Sequence, residues 1–69
     1  MSTQSKKLVS CIVGKYYIQV LYVVLDDGYE TFVVECANTE NDDVERLITR
    51  DIHKAVFRCN EYLHRGLIL

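Results

Sequence analysis

The chain has 69 residues, with eight lysines and arginines against ten aspartates and glutamates, a formal charge of −2, three glycines and no proline. That length holds one domain, expected to span residues 1–69, and folding buries only about 60% of the surface the unfolded chain exposes, so the core is small. The acidic balance excludes a generic polyanion binder, although charge can still be segregated by face.

Residues 1–6 read as a polar, disordered tail, too polar for a signal peptide. Leu8 to Val13 reads as a first strand, ended by Gly14-Lys15. Glycine at the first central position suits a two-residue type II′ hairpin, which needs positive φ there. A second strand runs from Tyr16 to Leu25; this apolar run is broken by Gln19 and too short to cross a bilayer, so a soluble, cytoplasmic protein is expected. Asp26-Asp27-Gly28 turns the chain again, either as an Asp-Gly type I′ turn or as a three-residue loop with Gly28 left-handed. Tyr29 to Cys36 completes a three-stranded antiparallel meander.

The remainder predicts one long amphipathic helix from Asp42 to Leu63. Thr39 is a candidate N-cap, with Asp42 three residues on, and Glu40, Asp42, Asp43 and Glu45 suit the positive end of the helix dipole. His64 and Arg65 suit the other end, Gly66 the left-handed position after it, and Leu67 a fold-back contact with Tyr62. At 100° per residue, Ile48, Ile52, Ala55, Val56, Cys59 and Leu63 form the inner stripe, flanked by Val44 and Tyr62. Arg46, Arg50, Lys54 and Arg58, four apart, form an outer basic ridge. Leu47 and Phe57 fall on neither stripe and suggest a second interface. The expected fold is therefore α+β, a three-stranded meander followed by one long C-terminal helix on one sheet face.

With the two-residue first turn and the three-residue second, Val9, Cys11, Val13, Tyr16, Ile18, Val20, Tyr22, Val24, Phe32, Val34 and Cys36 share a face and form the core with the helix. The other face then holds Leu8, Ile12, Tyr17, Leu21, Val23, Leu25, Tyr29 and Val33, diluted only by Ser10, Gln19, Thr31 and Glu35. A solvent-facing antiparallel sheet normally alternates more cleanly. One helix cannot cover both faces, and the expected consequence is burial by a second copy, most simply in a homodimer, or by another protein. Tyr17, Leu21, Val23, Tyr29, Val33, Leu47 and Phe57 are the candidate interface residues.

Chemistry is sparse. Cys11, Cys36 and Cys59 are odd in number, lack metal-like spacing and fall on inward positions, so they read as reduced core residues. His53 and His64 would lie about 16 Å apart on one helix and cannot share a metal. No glycine-rich phosphate loop, Cys-x-x-Cys pair or His-Glu-x-x-His helix is present, so no catalytic residue, cofactor or metal is expected. A three-stranded meander followed by one helix resembles the second part of the double-stranded-RNA-binding domain. It lacks that family's first helix and opens its last helix with acids where that family has lysines, and membership is not inferred. In size and absence of motifs the chain also looks like the small inhibitors phages make against host or defence proteins, an analogy of format that would place it in a host cytoplasm. The expected function is non-catalytic binding of a protein partner by a self-associating module. The alternative is a nucleic-acid or nucleotide binder using the basic ridge.

Overall fold

A computed structural model describes residues 4–68. Four strands, β1 (Gln4–Val13), β2 (Tyr16–Val24), β3 (Glu30–Asn38) and β4 (Val44–Thr49), precede one helix, α1 (Ile52–Leu67). The strands form a single antiparallel sheet in the order β1-β2-β3-β4. Both expected hairpins form. Val13 pairs with Tyr16 across Gly14, whose φ is 61°. Val24 pairs with Glu30, and Leu25 N–H donates to the Tyr29 carbonyl, closing the three-residue loop with Gly28 at φ 84°. Of the two readings of that turn, the loop wins because the Asp27 carboxylate accepts from Tyr29 N–H and braces it.

Two expectations need correction. The polar tail was expected to reach residue 6, but residues 4–6 pair with β2, while residues 1–3 lie outside the described residues. The sheet has four strands where three were expected, because the first part of the predicted helix is β4. Val44-Glu45-Arg46-Leu47-Ile48-Thr49 satisfies a helical period and a strand period together, and the free edge of β3 selects the strand. The acids before it make a turn. Asp42 takes φ 63°, Asn38 Oδ1 accepts from Glu40 N–H and Asn41 Oδ1 accepts from Asp43 N–H. Asp51, not Thr39, caps the helix, its carboxylate accepting from His53 N–H at 2.8 Å.

Helix α1 crosses the face that carries Ile18, Val20, Val34 and Cys36, sealing them with Ala55 and Tyr62. Cys11, Val13, Tyr16, Phe32, Leu47, Cys59 and Leu63 pack around them. The cysteines are free and inward, as expected, and burial pushes the Cys36 and Cys59 thiols up. Gly66 does not end the helix in a left-handed turn. It is buried inside the last turn, where a Cβ would stand 2.6 Å from the Val13 carbonyl oxygen, so its lack of a side chain lets α1 touch the end of β1. Ile68 closes the helix, its N–H donating to the His64 carbonyl.

The shape is thin. The molecule extends 42 × 23 × 16 Å and its Cα radius of gyration is 12.7 Å, against about 11 Å for a compact chain of this length. One sheet and one helix make two layers, and none of the described elements covers the far side of the sheet.

Candidate protein-binding face

Side chains alternate along each strand, so the uncovered face is fixed by the same registers that build the core. It is organised in rows running across all four strands. Ile12, Tyr17, Ala37 and Val44 are mutually paired in one row, and Ser10, Gln19, Glu35 and Arg46 in the next. Then come Lys7, Leu21, Val33 and Ile48, followed by Ser5, Val23 and Thr31. The correction at β4 enlarges this face, because Val44 and Ile48, expected on the helix stripe, project into it at 53% and 63% exposure. Ile12 is 69% exposed. Leu8 leaves the face. It is the extra residue of a bulge between Lys7 and Val9 and lies with the residues lining the helix side.

The polar row is internally satisfied. Ser10 Oγ meets Tyr17 Oη at 2.8 Å, Lys7 Nζ donates to Tyr17 Oη at 3.4 Å, and Tyr17 Oη donates to Gln19 Oε1 at 3.3 Å. Gln19 Nε2 donates to Glu35 Oε1, and Arg46 Nε donates to Glu35 Oε2 at 2.6 Å. The chain of hydrogen bonds thus ends on one carboxylate taken from both sides. The Gln19 amide first, and then Arg46, hold the Glu35 carboxyl below the usual range against the opposing effect of burial. The Tyr17 phenol is made more acidic by Ser10 and then Lys7. This face is a stiff polar row between apolar rows. Four strands about 4.8 Å apart and some 25 Å long present on the order of 500 Å² in projection. A standard interface takes about 800 Å² from each partner.

The other candidate interface residues are dispersed. Tyr29 sits in the loop after β2 with the Arg50 guanidinium 4.0 Å from its ring centre. Leu47 points to the helix side of β4, half-buried against the core, and Phe57, 65% exposed, stands beside it on the flank of α1. The basic ridge does not exist as one line. Arg46 lies on the uncovered face paired with Glu35, Arg50 lies between β4 and α1, and only Lys54 and Arg58 share the helix. Arg58 pairs with Glu61 at 2.9 Å, and Arg65 ties the helix to Glu45 of β4.

On the opposite flank of α1, Ile52 and Val56, expected to be sealed, are half-exposed and line a cavity of about 250 Å³ with Leu8, Val9, Val20 and Phe32. Among the described residues no three His, Cys, Asp or Glu side chains converge on a metal-sized site, and no helix is long and apolar enough to cross a membrane. No protein-family model matches the chain, and neither a curated protein nor a solved structure matches it.

Proposed function

We propose that the chain is a non-catalytic, self-associating protein-binding module whose uncovered sheet face is the contact surface. The observation that carries this reading is the pairing of that face's own polar groups with one another. Ser10, Tyr17, Gln19, Glu35 and Arg46 already satisfy each other, so burying them strands few hydrogen-bonding groups, while Ile12, Leu21, Val33, Val44 and Ile48 supply area to remove from water. A surface evolved only for water has no need of five aliphatic side chains around such a row. Inhibition or modulation of a host or defence protein is the role this format suits.

The alternative reading, a nucleic-acid or nucleotide binder, required four cations along one rod. It now rests on Lys54 and Arg58 alone, one of which is paired with Glu61. The test is retention from a native lysate on immobilised wild type, Leu21→Lys and Ile12→Lys chains, with and without nuclease. Retained protein that survives nuclease and is lost from both variants is expected. Retention of nucleic acid alone, or equal retention by all three chains, would overturn the reading.

A further inference from the structure

Two depressions flank α1, and their walls differ in charge. The one beside β1 and β2, which Leu8, Val9, Phe32, Ile52 and Val56 help to line, carries no charged side chain. The one beside β4, with a volume of about 290 Å³, is lined by Leu47, His53, Lys54, Phe57 and Arg58. Spacing brings these five together. Along a helix, positions four apart stack on one side, which sets Phe57 one turn beyond His53 and Arg58 one turn beyond Lys54. Leu47 joins them because alternation along β4 turns it to the helix side, in the row it shares with Val34. β4 is an outer strand, so among the described residues no further strand closes the depression.

Every polar side chain of this wall is basic, and no acidic residue lines it. The neighbouring arginines are engaged elsewhere: Arg46 donates to Glu35, Arg65 to Glu45, and the Arg50 guanidinium lies on the Tyr29 ring. Lys54 forms no ion pair among the described residues. Arg58 gives its Nε to Glu61 at 2.9 Å, which leaves the fork of its terminal nitrogens for another acceptor. The floor is hydrocarbon, with Phe57 65% exposed and Leu47 half-buried beside it. A purely apolar guest would leave the cations unanswered, and a bare inorganic anion would leave the floor in water. The guest that answers both carries an oxyanion on an apolar body.

We infer that this depression binds a small organic anion, its phosphate or carboxylate group held by Lys54 and Arg58 and its aromatic or aliphatic body laid on Phe57 and Leu47. Two cations one helical turn apart, about 6 Å at Cβ, converge on a single oxyanion and are too few to follow a polymer backbone. The volume suits a guest built on one ring. The same assignment accounts for two features left over from the sequence. Leu47 and Phe57, which fit neither stripe of the expected helix, are the floor, and Lys54 and Arg58, the part of the expected basic ridge that stays on α1, are the rim. The site lies on the helix side of the sheet, away from Ile12 and Leu21, so it stands whether or not the uncovered face binds protein.

Titration of the full chain, followed by backbone amide chemical shifts, tests this with probes matched in body and charge: phenyl phosphate, phenylacetate, phenol and inorganic phosphate. Saturable shifts at Lys54, Phe57 and Arg58 are expected with phenyl phosphate or phenylacetate, about tenfold tighter than with phenol or inorganic phosphate. The tighter of the two aryl anions identifies the preferred oxyanion. Lys54→Ala and Phe57→Ser, both at exposed positions, should each weaken that binding about tenfold, while Lys54→Arg retains it and Lys6→Ala, on the far outer strand, leaves it unchanged. The same spectra report whether each variant is folded. Equal affinity for phenol and phenyl phosphate would remove the cations from the site, and equal affinity for inorganic phosphate would remove its floor. Either result, the absence of saturable shifts, or binding that survives both Lys54→Ala and Phe57→Ser overturns the inference.

Discussion

The two faces of this sheet are built from alternate residues of the same strands. On one, Ile18, Val20, Val34 and Cys36 are sealed beneath α1. On the other, Ile12, Leu21, Val33 and Ile48 carry comparable hydrocarbon, the two isoleucines more than half open and Leu21 and Val33 partly buried between them, separated by a hydrogen-bonded row from Ser10 to Arg46. The covered face has no buried polar or charged residue other than tyrosine among those described, whereas the open one ends a chain of five polar groups on a single carboxylate. Burial by the chain's own helix demands dry, closely packed side chains. Burial that must be reversible demands polar groups that stay satisfied with or without a partner.

The largest expected effect of breaking this comparison is on the covered side. Ile18→Ala empties a fully buried site between sheet and helix and is expected to lower unfolding free energy by about 3 kcal/mol, read from the urea midpoint. For a domain this small that is a substantial part of the total. Gly66→Ala comes next, because its Cβ would press on the Val13 backbone as well as its side chain. A loss of roughly 2 kcal/mol is expected in the same measurement, as the helix end must lift from β1.

Smaller effects sharpen the contrast. Tyr62 is buried with its hydroxyl lacking a hydrogen-bond partner among the described residues, so Tyr62→Phe should raise stability or leave it unchanged, by at most about 1 kcal/mol. A loss would mean the hydroxyl is satisfied in solution. On the open face, Glu35 has its folded-state pKa depressed by Gln19 and Arg46. Its contribution is therefore present above its unfolded value of about 4.3 and disappears as pH falls through the lower folded value. Wild type should exceed Glu35→Gln in urea midpoint at pH 6 and lose that advantage towards pH 3. The difference should stay below about 1 kcal/mol because Arg46 is half in water.

The hairpins and the inner face of the sheet were legible in the sequence because glycine at 14 and 28 marks the turns and period-two alternation fixes which residues face inward. The shortage of cover on the other face was legible for the same reason. What was misread is the stretch from Asp42 to Asp51. Val44, Ile48 and Ile52 fall on one stripe of a helix while Val44, Arg46 and Ile48 alternate as in a strand. Only pairing with β3, a contact distant in sequence, chooses between them. Asp51 was the missed signal, an N-cap residue immediately before a shorter helical run. Once β4 is a strand, the four-residue spacing of the basic residues loses its meaning, and Leu47 and Phe57 move from anomalies on a helix to neighbours at a sheet edge.

The most direct test of the account sets stability and protein retention side by side in one variant, Ile12→Lys, at an edge-strand side chain that is 69% exposed. Its urea midpoint is expected to match wild type within about 0.5 kcal/mol, as for a surface substitution, while nuclease-resistant protein retention disappears. Unchanged retention, or a loss of stability as large as that of Ile18→Ala, would contradict the claim that this face is a surface for partners.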